Sequence, residues 1–92
     1  MALQFEWDSK KAQSNKRMHG IIFEEASTIF ADLLSITIPD PAHSIGEDRF
    51  ITIGTSVNNK IIVVVHSDRG DIMRIISARK ATRKERRQYE HG

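Results

Sequence analysis

The sequence predicts an α+β domain with its helices lying on one antiparallel sheet, in the order β-α-α-β-β-β-β-α. Three observations predict it. Apolar spacing is helical through residues 23–33 and changes to alternation at residue 34. Four β-rich stretches then run to residue 77, divided by Pro, Asn, Asp and Gly. A Thr-x-x-Glu pair, Thr82 and Glu85, opens a last helix. At 92 residues the chain makes a single domain over 1–92. A domain of this size has little core to spare for a deep cavity, so a site on a sheet face or shared with a partner is expected.

Leu3, Phe5 and Trp7 alternate with Gln4, Glu6 and Asp8, which makes a short first strand. By that parity Phe5 and Trp7 belong to the core and are not platforms for stacked bases. Asp8 caps a helix over Ser9–His19, and Gly20 is its left-handed stop. Asn15 and His19 share a face of this helix and are read as bonding nearby backbone. A second helix spans Phe23–Ala31, with an apolar stripe of Phe23, Ala26, Ile29, Phe30 and Leu33. Ile22 stands where a capping side chain is expected, while Glu24 and Glu25 suit the positive end of the helix dipole.

Leu34, Ile36 and Ile38 form the next strand, ended by Pro39 and Pro41. Residues 39–48 have no periodicity, and a loop of that length is commonly functional or mobile. A strand over Arg49–Val57, a turn at Asn58-Asn59, and an almost wholly β-branched strand over Lys60–His66 follow. Ser67–Gly70 turns the chain into a last strand over Ile72–Ser77, and the third helix runs from Arg83 to Glu90.

Composition removes several classes of function. There is no cysteine, hence no disulfide and no thiolate metal site. No apolar run is long enough to cross a membrane, and Met1-Ala2-Leu3-Gln4 lacks the layout of a signal peptide, so a soluble cytoplasmic protein is expected. No phosphate-binding glycine loop, metalloprotease pair or nucleophile elbow is present. His19, His43, His66 and His91 have no metal-ligand spacing, and no cofactor or metal is expected. The charge is uneven: residues 72–92 carry +5 and residues 1–71 carry −3. A basic end on an acidic body suits a polyanion or an acidic partner, or is simply the solvated face of a helix.

Three cations fall on strand positions whose neighbours are apolar. Arg49 shares its side with Ile51 and Ile53, Arg74 with Ile72 and Ile76, and His66 with Ile62 and Val64. Such residues are either paired with Glu47, Asp48 or Asp71, or they meet an anionic ligand. Grouped on one sheet they suit a phosphate, since a planar guanidinium can hold two of its oxygens. The chemistry that follows is RNA transesterification, in which Arg49 and Arg74 stabilise the phosphate. His66, His19, Glu47 and Tyr89 are the candidates for proton transfer, and the sequence does not choose among them. Lys80, Arg83, Arg87 and Tyr89 at the basic end are candidate RNA contacts.

The motifs also carry a resemblance. Phe5-Glu6-Trp7-Asp8, Asn15 with His19-Gly20, and Phe23-Glu24-Glu25-Ala26 resemble the opening of BrnT toxins. Gly46-Glu47-Asp48-Arg49-Phe50 with Ile53-Gly54 resembles their central hairpin. Arg74-Ile75-Ile76-Ser77-Ala78-Arg79-Lys80-Ala81, then Glu85-Arg86 and Tyr89, resembles their C-terminal signature. The chain departs from the family at Met18, commonly Lys, and at Ile22, often Ser. The resemblance implies a RelE-like fold and a metal-independent endoribonuclease that inhibits translation. It marks Arg49 and Arg79 as the strongest functional residues. It also implies a BrnA-type ribbon-helix-helix antitoxin, a complex of two toxins with two antitoxins, and binding of that complex to operator DNA. Two other readings accommodate the same cations: a non-enzymatic nucleic-acid or protein binding module, and a degenerate toxin that only binds its antitoxin.

Overall fold

A computed structural model describes residues 3–43 and 46–91. Ser44 and Ile45 of the expected loop, the side chain of His43, and the terminal Met1, Ala2 and Gly92 lie outside the described residues. The elements are β1 (Gln4–Glu6), α1 (Ser9–His19), α2 (Phe23–Ser27), β2 (Ile36–Pro39), β3 (Arg49–Thr55), β4 (Ile61–Arg69), β5 (Ile72–Lys80) and α3 (Arg83–His91). Their order is the expected one, and the α+β class holds. The sheet order is β1-β5-β4-β3-β2. β2 to β5 form the antiparallel meander, whereas β1 joins the β5 edge in parallel, so the sheet is mixed.

Local chemistry explains most element ends. Asp8 accepts from the Lys11 backbone N–H at 3.1 Å and caps α1, and Gly20 closes it at φ 70°. Asn59 takes the positive φ of the β3–β4 turn, at 61°. The second helix is shorter than its apolar stripe suggests, because Thr28–Ala31 tightens into a 3-10 turn. Ser27 Oγ and Thr28 Oγ1 donate to the carbonyls of Glu24 and Glu25 at 2.7 and 2.6 Å, and such back-bonding disturbs a helical ladder. Ile22 makes no side-chain cap. Glu25 is buried, accepting from Ser56 Oγ at 2.7 Å and so tying the β3–β4 turn to α2.

The core lies between α1–α2 and one sheet face. Ile21, Phe23, Ala26 and Ile29 pack on Ile62, Val64, Ile75 and Ala78, with Phe5 and Trp7 of β1 against them. Gly54 lets the 3-10 turn lie directly on β3, since a Cβ there would meet Ile29 Cβ at 3.1 Å and Ile29 O at 3.2 Å. Asn15, buried in α1, reaches further than nearby backbone. Its Nδ2 donates to Ile21 O at 3.0 Å and Ala78 O at 2.8 Å, and its Oδ1 accepts from Ala78 N at 3.0 Å.

One irregularity decides which arginines share a face. Val65 pairs with Ser77 but His66 pairs with Ile75, leaving Ile76 as a β-bulge in β5. Arg74 and Arg79 are five residues apart, and strict alternation would point them to opposite faces. With the bulge, Arg74 lies opposite Ser67 and Arg79 opposite Val63, which share one face of β4.

Candidate active site on the open sheet face

The face away from α1 and α2 carries Arg49 and Ile51 of β3, Val63, Val65 and Ser67 of β4, and Arg74 and Arg79 of β5, by register with one another. Arg49 is paired with Ser67 and Ser67 with Arg74, so the three form one row across three strands. The Cα atoms of the two arginines are about 10 Å apart, twice the inter-strand spacing. Ser67 between them is 1% exposed, and its Oγ has no hydrogen-bond partner among the described residues. Pro39, Pro41, Asp48 and Phe50 line a hollow of about 490 Å³ with Arg49, so these residues border the row.

One carboxylate stands at the β1 end of the row and another lies one rung away from it. Glu6 pairs with Arg74 in the parallel β1–β5 register, its Oε1 3.8 Å from Arg74 Nη1. Glu47, just before β3, accepts from Arg69 Nη2 at 3.3 Å. Arg69 is on the same face of β4 as Ser67 and adds a further cation there. Sequence reading passed over Glu6, Ser67 and Arg69. Glu6 reads as the solvent side of a strand, and Ser67 and Arg69 fall in an expected turn that is instead the end of β4.

The expectation that His66 stands with the arginines is corrected. His66 points to the helix side and is 1% exposed. Its Nε2 and Nδ1 are hydrogen-bonded to Thr52 Oγ1 and Asp68 Oδ1, each at 2.7 Å, and Phe30 packs edge-on to its ring at 5.0 Å. Odd and even positions of a strand face opposite ways, so His66 cannot share the face of Ser67. His19 lies exposed at the end of α1.

Arg79 is on the open face but two rungs from the row, and its guanidinium is already engaged. Nη1 and Nη2 donate to Glu85 Oε1 and Oε2 at 2.7 and 2.8 Å. Glu85 also closes the capping box: it accepts from the Thr82 N–H at 2.9 Å, and Thr82 Oγ1 accepts from the Glu85 N–H at 3.2 Å. The Arg79 hydrogen bonds, aided by those of the cap, hold the Glu85 carboxyl down from its ordinary 4.5 to about 2. The same partner pushes the Arg79 pKa up.

Tyr89 fixes the other end of α3. Its hydroxyl bonds Thr55 Oγ1 at 2.9 Å and donates to Asp32. Burial pushes the Asp32 carboxyl up, but its bonds from Tyr89, the Thr55 N–H and the Leu34 N–H outweigh that and leave it below its ordinary value. For Tyr89, burial and the bond to Asp32 raise the pKa. Tyr89 is thus an anchor of α3, while Arg83 and Arg87 are exposed on it. Lys80, on the helix side of β5, lines a separate hollow with Lys60 and Arg86.

The α3 clasp has a testable pH signature. A carboxyl whose folded pKa is depressed stabilises the fold fully above its unfolded value and loses that contribution as pH falls through the folded one. Acid from pH 4.5 toward 2 should therefore loosen α3. Water screens the pair through the part-exposed Arg79, so about 1 kcal/mol is at stake. Amide exchange along α3 over that range, with Glu85→Gln as the control that removes the transition, measures it.

Residues 7–85 match the family described as the ribonuclease toxin, BrnT, of type II toxin-antitoxin systems. The chain belongs to the BrnT family. The 1.1 Å crystal structure of the Brucella abortus ribonuclease toxin BrnT is similar to this BrnT chain at TM-score 0.70 and 27% identity, covering 89% of this chain and 100% of that one. No curated protein sequence matches. The fold is thus that of BrnT toxins, with β1 added in parallel to the antiparallel meander. As a BrnT toxin the chain is a ribonuclease of a type II system, a class that has an antitoxin partner. In this BrnT chain Met18 is exposed.

Proposed function

We propose that this BrnT chain cuts RNA by metal-independent transesterification on the open sheet face, and thereby inhibits translation. The Arg49–Ser67–Arg74 row is the observation that carries the reading. Two guanidiniums bracket a single phosphate and hold its non-bridging oxygens through paired N–H groups. A phosphate oxygen also supplies the acceptor that the buried Ser67 hydroxyl lacks, relieving a cost of about 1–3 kcal/mol. Charge then builds on oxygens that already face fixed donors, which is where electrostatic stabilisation is most effective. In this reading charge stabilisation falls to the arginines. Glu47, held by Arg69 one rung from the row, is a candidate for proton transfer. Arg79 holds α3 beside the site, and Arg83 and Arg87 extend the positive surface along the RNA.

In this reading a BrnA-type ribbon-helix-helix antitoxin covers the face with acidic groups and blocks it. The antitoxin brings two-fold symmetry, giving two toxins and two antitoxins, and carries the complex to operator DNA. The protein works in the cytoplasm, where its RNA is translated; no helix among the described residues is long and apolar enough to cross a membrane.

The test is cleavage of a labelled RNA by the antitoxin-free protein in chelator, beside translation in an extract with and without antitoxin. Products ending in 2′,3′-cyclic phosphate, and arrest relieved by antitoxin, are expected. A folded protein that leaves both free and ribosome-bound RNA intact overturns the reading. A one-to-one heterodimer by light scattering overturns the stoichiometry.

A further inference from the structure

The arginine row contains one group whose presence phosphate binding alone does not explain. Phe5 and Trp7 pack into the core, so strand alternation turns Glu6 to the opposite, open face. There it extends the row to four strands: Glu6, Arg74, Ser67, Arg49. A carboxylate beside a phosphate site repels the ligand, which is a cost to binding. As a structural tie it gives little in return. Glu6 and Arg74 are 43% and 37% exposed, and at 3.8 Å they touch loosely, without a hydrogen bond between them.

Transesterification requires a group that removes the 2′-hydroxyl proton, and an arginine does so poorly. The other candidates are placed for different work. His66 is buried on the opposite face, His19 stands at the end of α1 beside Ile76 and Ser77 and not in the row, and the Tyr89 hydroxyl is held by Asp32 and Thr55. Glu47 lies one rung off the row and is engaged by Arg69. Glu6 lies in the row itself, next to the guanidinium that holds the phosphate.

We propose that Glu6 is the general base of the cleavage, an assignment that rests on the ribonuclease reading above. The Glu6 carboxylate takes the proton of the 2′-hydroxyl, and the oxygen's electron pair forms the bond to phosphorus. The bond from phosphorus to the 5′-oxygen breaks with its pair left on that oxygen. That oxygen takes a proton from solvent water, and the resulting hydroxide recovers the proton from Glu6. The attacking and leaving oxygens lie on opposite sides of the phosphorus, so the base belongs at one end of the row and the leaving oxygen toward the Arg49 end. Arg74 serves both ends of the step: it holds the phosphate and orients Glu6.

The experiment compares the wild-type chain with Glu6→Gln and Glu6→Ala. It measures single-turnover cutting across pH and affinity for the same RNA carrying a 2′-deoxy nucleotide at the cut. The isosteric Glu6→Gln should cut about 10²–10⁴-fold more slowly, and its rate should lose the acid limb of the pH profile. It should bind the 2′-deoxy RNA as tightly as the wild type or more tightly, because a repelling charge is gone. Added formate should restore part of the rate to Glu6→Ala, which a merely structural role would not allow. Cutting by Glu6→Gln at the wild-type rate overturns the assignment while leaving the ribonuclease reading intact. So does a loss of RNA affinity with the turnover rate and its pH profile unchanged. A wild-type chain that does not cut overturns both.

Discussion

Arg49→Ala should slow RNA cutting by about 10²–10³-fold with the fold intact, the usual loss when one pre-placed donor to a developing oxyanion is removed. Arg49 is half-buried at the start of β3, in register with Ser67 and, beyond it, Arg74. Truncating it takes one side from the phosphate clasp and leaves the core untouched, since the core is on the other face. Arg74→Ala should cause a loss of similar size, and the double variant should lose less than the product of the two, because both act on one phosphate. Arg79→Ala should behave differently. Its guanidinium is bound to Glu85, so its removal should free α3 and lower stability before it alters the chemical step. Single-turnover rates of the three variants, read beside their thermal unfolding, separate these outcomes. An Arg79→Ala variant that stays as stable as the wild type yet cuts more slowly than Arg49→Ala would move the reacting phosphate toward α3.

Asn15→Ala should destabilise the fold by about 3 kcal/mol, the largest effect we expect from one polar side chain. Asn15 satisfies the Ile21 carbonyl and both backbone groups of Ala78, all in the buried layer between α1 and β5. Ala78 follows the Ile76 bulge by two residues, at the point where β5 resumes its ladder with β4. Its backbone groups that face away from β4 have no neighbouring strand to bond, because β1 pairs only with Ile72 to Arg74. Asn15 takes the place of that missing strand. Each buried group left bare costs about 1–3 kcal/mol, and in a domain of this size the total should lower Tm by 10 °C or more, on the order of 4–8 °C per kcal/mol. Urea titration of Asn15→Ala beside the exposed Lys16→Ala gives the comparison. A loss under about 1 kcal/mol would mean that water enters and replaces the amide.

The elements and the class of fold were legible because both rest on local pattern. The Asp8 cap, the Gly20 stop and the Thr82–Glu85 box act within one helical turn, and each holds in the structure. The apolar spacing marked the buried side of β1 and most of that of α2, but not that of β3, whose Ile51 and Ile53 lie on the face away from the helices. Where the reading stopped short, a side chain had a competing local bond. The hydroxyls of Ser27 and Thr28 end α2 early, although the apolar stripe continues. The site was legible in kind but not in membership. Arg49 and Arg74 stood out as charges among apolar residues. Glu6, Ser67 and Arg69 did not, because a polar residue at the edge or end of a strand looks like ordinary surface until its neighbours are known.

By itself the sequence determined the elements, their caps, the apolar faces, the absence of thiol chemistry and the concentration of positive charge toward one end. These follow from periods of 2 and 3.6 residues and from composition, which need no knowledge of distant contacts. Only the tertiary structure decided which charges meet. It set β1 beside β5, bringing Glu6 to Arg74 across most of the chain length. It placed a bulge at Ile76, which reverses the parity of β5 and puts Arg79 on the face of Arg74. It turned His66 away from both and gave Arg79 to Glu85. The physical reason is common to all four. Strand pairing and bulges are settled by the packing of whole faces, and a single-residue change of register exchanges one side of a strand for the other.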